Sequence, residues 1–429
     1  MGAGMFKPLK IRAYRSLFGA QVFSDLGNWF DFVALQVIVA YHWGLDETAV
    51  ASVIIALGLP WVIIGPFASV FVDRLPKKTV MIVCLILRII FVGGLFFAPN
   101  LYYLLLFVFL KGTAAALYDP ARQSTIRMTV PDEQLPEAVT LSQLSVNTMK
   151  ILGPALGGGI IAFFGVKSPF LFEAAGFLIA IIFLMMMPKL DETAYVEEIK
   201  TTKEIPQKSS YWKDLFDGLK HIAKTPLLKI SIILSSVAFF IIFLYDGLFV
   251  FLAQDLGFTK ENFGLLISSV GLGSVVGSLL LGQWTNWKHK PIHLMSTTAL
   301  LSGTLIIAVG LGSMGILNLP QLVWVIGAFL LGLLGSGEAV PYGYVLQSET
   351  PKQMMGRVSA AATSMQTFSM LIAPAIGALL AKLTSVSVVM IGAGTATCLL
   401  GIFVLVFILR KLKALQTNKE TAPVQKSTG

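Results

Sequence analysis

The sequence predicts an all-α membrane protein, with twelve transmembrane helices in two pseudo-symmetric six-helix halves. Three observations carry that prediction. Of 429 residues, 55% are hydrophobic and only 13% are charged, where a soluble domain carries about 25% charge. Twelve apolar runs follow one another, and most reach the ~20 residues needed to cross hydrocarbon. Finally, Phe109, Leu110 and Gly112 match Phe329, Leu330 and Gly332 at an ungapped offset that also pairs Pro131 with Pro351. The same offset pairs Pro154, Ala155 and Gly157 with Pro374, Ala375 and Gly377.

The chain opens with a short basic stretch, residues 1–15, and shows no small-residue cleavage site of a signal peptide. Spans are expected at 16–41, 47–71, 79–98, 101–121, 138–164 and 169–188, and then at 227–253, 261–284, 291–312, 320–346, 357–380 and 385–409. The second and third are joined by a tight charged hairpin within Gly65–Lys78, GPFASVFVDRLPKK. Its cations Arg74, Lys77 and Lys78 assign that surface to the cytoplasm. The connection 189–226 separates an N-terminal half, 1–188, from a C-terminal half, 227–410. It begins as a charged, Pro-interrupted linker. It continues with Trp212, Leu215, Phe216, Leu219 and Ile222 at helical spacing, an amphipathic helix lying on the leaflet or packed on the chain's own loops. The tail 411–429 is polar and is expected to be disordered.

The charge distribution fixes the topology. Of 32 Lys and Arg, three fall in loops on one side (Lys167, Lys260, Lys382) and three within spans (Arg88, Lys111, Lys150). The rest share the other side, which places both termini in the cytoplasm of a multi-pass cell-membrane protein. The net charge of +9 is therefore topological bias and not a nucleic-acid stripe. Cys84 and Cys398 lie inside apolar runs and form no disulfide framework. The four histidines have no metal spacing, so neither metal nor cofactor is expected. Gly271, Gly273 and Gly277 lie mid-span without a Lys-Ser/Thr and form a packing face instead of a nucleotide loop.

The hairpin resembles the signature of the major facilitator superfamily, with Ser69 and Pro76 standing where glycine is commoner. QVFSDLGNWFDFVAL at 21–35, VDRLPKK, DPARQ at 119–123, GPALGG at 153–158 and FDGLKHIAKTPLLK at 216–229 are similar to its macrolide-efflux and enterobactin-exporter branch. The resemblance is dense in the first half and thinner in the second. It implies proton-driven export of an amphipathic small molecule by a chain expected to be a monomer. GPALGG resembles a drug-antiporter motif. Gly153, Pro154, Gly157 and Gly158, with Pro374 and Gly377, are read as helix-packing and helix-bending positions.

Charges inside a membrane need a partner, water or a task. Asp25, Asp31, Lys111, Asp246 and Glu338 fall on spans one, four, seven and ten, which in the family line the cavity. At 100° per residue, Gln21, Asp25, Asn28, Asp31 and Gln36 form one polar stripe, which suggests a water-filled path. Asp31 is expected to couple protons to substrate. The alternative is a structural pair with Lys111, and for Asp25 and Asp246 it is a static gate contact. Arg88 and Lys150 are expected to pair helices, and Glu173 to be a solvated boundary residue. The resemblance places Asp73 at an inner gate with Arg74, Lys77, Lys78, Arg122 and Arg357. Siderophore or lysophospholipid export is the alternative within transport. Outside transport, the alternatives are an uncoupled lipid scramblase and a polytopic membrane enzyme; the latter would need a nucleophile, base or metal set that the sequence does not show.

Overall fold

The structure, a computed structural model, describes residues 6–72, 75–188, 211–351 and 354–408. The linker 189–210, the expected gate residues Asp73 and Arg74, and the tail beyond 408 lie outside the described residues. No strand occurs among the described residues. The helices are α1 Arg12–Val37, α2 Glu47–Ile63, α3 Gly65–Val72, α4 Lys77–Phe96, α5 Leu101–Thr129, α6 Leu135–Phe164 and α7 Ser168–Met186. They continue with α8 Tyr211–Lys224, α9 Pro226–Asp246, α10 Phe249–Asp255, α11 Lys260–Gln283, α12 Pro291–Ser313, α13 Gln321–Ser348, α14 Met355–Leu383 and α15 Val386–Phe403.

Their starts follow from local chemistry. Asp46 caps α2 by accepting the Ala49 N–H at 3.1 Å, and Asn100 caps α5 by accepting that of Tyr103 at 3.3 Å. Thr259 and Ser385 do the same for α11 and α15, each satisfying a donor that the helix itself cannot. Proline in the first turn opens α6, α7, α9 and α12, where its missing N–H costs nothing. The chain reverses after α6 at Gly165, whose φ of +91° suits a residue without a Cβ.

Ten helices among the described residues are long and apolar enough to cross a membrane. The other two expected spans are also helical, with shorter apolar stretches. At 47–71, α2 runs through Ile64 into α3, and at 138–164 the apolar part of α6 is Leu152–Phe164. Phe97, Tyr102, Phe163 and Leu383 are each more than 70% exposed, as apolar side chains against lipid should be. Lipid offers helices no hydrophobic drive to associate, so small residues that permit close approach decide the packing.

Helix α1 packs on α6 and α7, α4 on α5 and α7, and α2 on α5. Further along the chain, α11 packs on α13, α12 on α13 and α15, and α9 on α14. Two seams join these groups, α6 with α11 and α2 with α14. At the first seam, a Cβ on Gly158 would stand 2.5 Å from the Gly264 carbonyl oxygen, and Ser268 donates to the Ala155 carbonyl at 2.7 Å. Just past the end of α1, Tyr41 donates to the carbonyl of Phe258, just before α11, at 3.0 Å.

Candidate functional site: a buried charge network

The polar stripe on α1 exists, but much of it faces packed protein. Gln21, Asp31 and Gln36 are buried, Asp31 completely, while Asp25 and Asn28 remain partly exposed. The water-filled path expected along the whole stripe is therefore replaced, at these three residues, by contact with neighbouring helices.

Asp31 meets Lys111 of α5 in a close ion pair, and the same Lys111 Nζ donates to Glu173 of α7 at 3.0 Å. Glu173 has zero exposure, which corrects the expectation of a solvated boundary residue. It stands a turn and a half into α7, on the stripe Glu173, Gly176, Phe177, Ala180 and Leu184 that turns inward. Gly176 lets α1 approach, since a Cβ there would lie 3.2 Å from the Phe23 carbonyl. Among the described residues, Asp31 Oδ1 and Glu173 Oε2 each have no hydrogen-bond partner.

Arg88 of α4 joins helices, as expected of it, through neutral groups. It donates to Ser24 at 3.0 Å and, more closely, to Asn28, and its guanidinium lies 3.9 Å above the Phe177 ring. A guanidinium stacked this way is partly compensated for lost water by the ring's negative face. The side chain of Lys150 lies outside the described residues.

Asp25 anchors a second network. It accepts from Gln21 at 3.0 Å and from Ser145 at 3.1 Å, while Gln21 and Ser142 exchange hydrogen bonds at 2.8 and 2.9 Å. Arg122 donates to Ser142 at 2.6 Å and pairs closely with Asp119, one turn back on α5. The gate reading had Arg122 beside Asp73; its described partners are Asp119 and Ser142. Lys77 is buried and donates to the Leu75 carbonyl at 3.0 Å. Lys78 donates to the Met187 carbonyl at 2.6 Å, just past the end of α7, where a cation meets the negative pole of the helix. The side chain of Arg357 lies outside the described residues.

Asp246 and Glu338 are kept apart from Asp31. Asp246 ends α9 with its Oδ2 buried and unpartnered among the described residues, and Glu338 on α13 lies by the Ser235 hydroxyl of α9. Neither forms an ion pair among the described residues. A cavity of about 450 Å³ opens between α9 and α14 under Leu219 of α8, lined by Val237, Phe240, Met365 and Phe368 with the hydroxyls of Ser236 and Ser369. Its lining is predominantly apolar and it opens widely to the outside. The described part of α8 packs on α14 and α9, with His221 Nε2 3.2 Å from the Glu349 carbonyl oxygen.

The packing glycines sit at backbone crossings. A Cβ on Gly153 would collide with Trp29, one on Gly157 with the Phe30 carbonyl, and one on Gly377 with the Leu244 carbonyl. Pro154 and Pro374 lie inside α6 and α14. No cluster of side chains that could hold a metal ion occurs among the described residues.

The sequence model of one protein family, described as the Major Facilitator Superfamily, matches residues 17–374 and 232–428. An uncharacterized MFS-type transporter, YfiS of Bacillus subtilis, is 24% identical over 94% of this chain and 95% of its own. The multi-drug resistance efflux pump PmrA of Streptococcus pneumoniae is 28% identical over 75% of each chain. Macrolide efflux protein A of Streptococcus pyogenes is 22% identical over 81% of this chain and 85% of its own. Among solved structures, a POT family transporter superposes with a TM-score of 0.66 at 13% identity, covering 93% of this chain and 96% of that one. That likeness speaks for the fold alone.

Proposed function

The chain belongs to the Major Facilitator Superfamily, and from that premise we propose that it is a proton-coupled exporter, an antiporter, of macrolide- or multidrug-like amphipathic molecules. A multi-span transporter of small substrates follows from the family and its efflux relatives. Direction, coupling ion and substrate are the proposed part. The observation that carries coupling is the pair of carboxylates on one buried lysine, Asp31 and Glu173 on Lys111. Ionisable groups at this depth are expensive and are kept where protons or substrates move. The cavity beside Phe240 and Phe368 is the proposed substrate contact.

The proposed architecture is twelve spans in two related halves with both termini in the cytoplasm. The close approaches Gly157–Phe30 and Gly377–Leu244 support related halves, because they pair a fifth span with a first and an eleventh with a seventh. In this reading the seams α6–α11 and α2–α14 lie between the halves, and alternating access is their opening and closing.

The test is transport by reconstituted protein under an imposed pH gradient, with macrolides, cationic dyes and catecholate siderophores as the panel. Uphill movement of a macrolide or dye, with proton release on substrate binding, is the expected result. Asp31→Asn should abolish the uphill movement and leave equilibrium binding of a neutral substrate in place. Accumulation that ignores the pH gradient overturns the coupling, and selectivity for the siderophore alone overturns the substrate class.

A further inference from the structure

Asp31 and Glu173 come from different helices, yet both carboxylates accept from one nitrogen, Lys111 Nζ. Asp31 and Glu173 have zero exposure and Lys111 is 3% exposed. The lysine leaves one oxygen on each carboxylate, Asp31 Oδ1 and Glu173 Oε2, without a donor among the described residues. The charged groups facing Glu173 are Asp31 from α1, Lys111 from α5 and Arg88 from α4. Arg88 spends its described hydrogen bonds on Ser24 and Asn28, not on a carboxylate. From α6, no charged side chain bonds Glu173 among the described residues.

Two ionised carboxylates on one ammonium repel each other where no water can screen them, and each keeps an oxygen unsatisfied. One proton removes the repulsion and supplies a donor. Asp31 is the closer of the two to Nζ and is the lysine's standing counter-ion. Glu173, at 3.0 Å, has the weaker claim on the ammonium.

We infer that the Asp31–Glu173 pair holds one exchangeable proton beside Lys111, with Glu173 as its carrier. On release, the Glu173 O–H bond breaks, the proton passes to water reaching the site, and the new carboxylate remains on Lys111. This deepens the proton-coupling reading and rests on it for the proton's use in transport, though not for its presence.

The proton is tested in the full-length chain in nanodiscs by infrared spectroscopy at neutral pH. A protonated-carboxyl band is expected in the parent. It is read in a background carrying Asp246→Asn and Glu338→Gln, because those acids also form no ion pair among the described residues. Glu173→Gln and Asp31→Asn should each lose it, because the remaining acid ionises against Lys111, and Asp25→Asn should keep it. Thermal melting gives a second readout. The folded parent binds one more proton than the unfolded chain, so its Tm falls as pH rises above the ordinary carboxylate range. That fall should be smaller, and equally so, in the two single variants.

The double variant Asp31→Asn/Glu173→Gln strands Lys111 and should melt far lower, with Lys111→Met in the same chain restoring Tm. A band and pH slope that persist in Glu173→Gln overturn the inference. A band lost only in Asp31→Asn overturns the assignment to Glu173. Uphill efflux of ethidium by single variants that have lost the band would leave the inference standing and defeat the coupling reading instead.

Discussion

Replacing Gly158 by alanine should shift the protein between its alternating states. In the structure the added Cβ would stand 2.5 Å from the Gly264 carbonyl oxygen, inside the 3.0 Å that real Cβ contacts respect, and the obstacle is backbone on both sides. No rotamer change relieves it, so α6 and α11 must move apart. Overpacking of this kind costs about 1–3 kcal/mol, and it is charged only to the state in which the seam is closed. A difference of that size moves a two-state equilibrium roughly 5–150-fold. The gain in helix propensity from Gly to Ala applies to both states and cancels. The assay is spin-label distance measurement between cysteines at Phe164 and Lys260, both exposed and both near this end of the seam, in a chain lacking Cys84 and Cys398. The distribution should move to longer distances in Gly158→Ala. Gly159→Ala is the control, because its Cβ would meet nothing nearer than Ser268 Oγ at 3.5 Å. Equal distributions for the parent and Gly158→Ala would refute the seam as a moving contact.

Substitutions at two further positions have defined outcomes. Lys78→Ala removes the bond to the Met187 carbonyl and should lower stability by about 1 kcal/mol, read as a lower Tm with substrate affinity unchanged. At Asp46 the Thr48 hydroxyl, bonded at 2.7 Å, and the Ala49 N–H hold the carboxyl below the usual carboxylate range. Its contribution is complete above that range and is lost as pH falls through the depressed folded value. Asp46→Asn keeps a capping oxygen and should flatten this acid limb of the Tm–pH curve, while Asp46→Ala should cost about 1 kcal/mol at neutral pH.

Helices were legible in the sequence because apolar runs of membrane length leave little else to form, and the proximity of Asp31 and Lys111 because buried opposite charges find each other. Glu173 was misjudged for a physical reason: counted from the loop at 165–167, it is near a helix end, where a carboxylate usually meets water. The 3.6-residue stripe it shares with Gly176, Phe177 and Ala180 carried the correct answer, since small residues on one face announce a close neighbour. Asp119 and Ser142 were missed because nothing in a single sequence states which helix faces which. The place of Lys78 in a family motif points to a gate, and its reach to the Met187 carbonyl depends on where α7 ends, which a single sequence does not state.

The seam between α6 and α11 has a consequence for how readily it parts. Ser268 donates to the Ala155 carbonyl across the seam at 2.7 Å and also lies 2.8 Å from the Gly264 carbonyl on its own helix. When the helices separate, the hydroxyl gives up the first acceptor and keeps the second, so no donor is stranded in hydrocarbon. At Gly158 and Gly264 themselves the contact is backbone against backbone. Contact made by bare backbone and a hydroxyl with a spare acceptor behaves as a clasp without a catch: it fixes the closed geometry closely yet leaves little friction against opening.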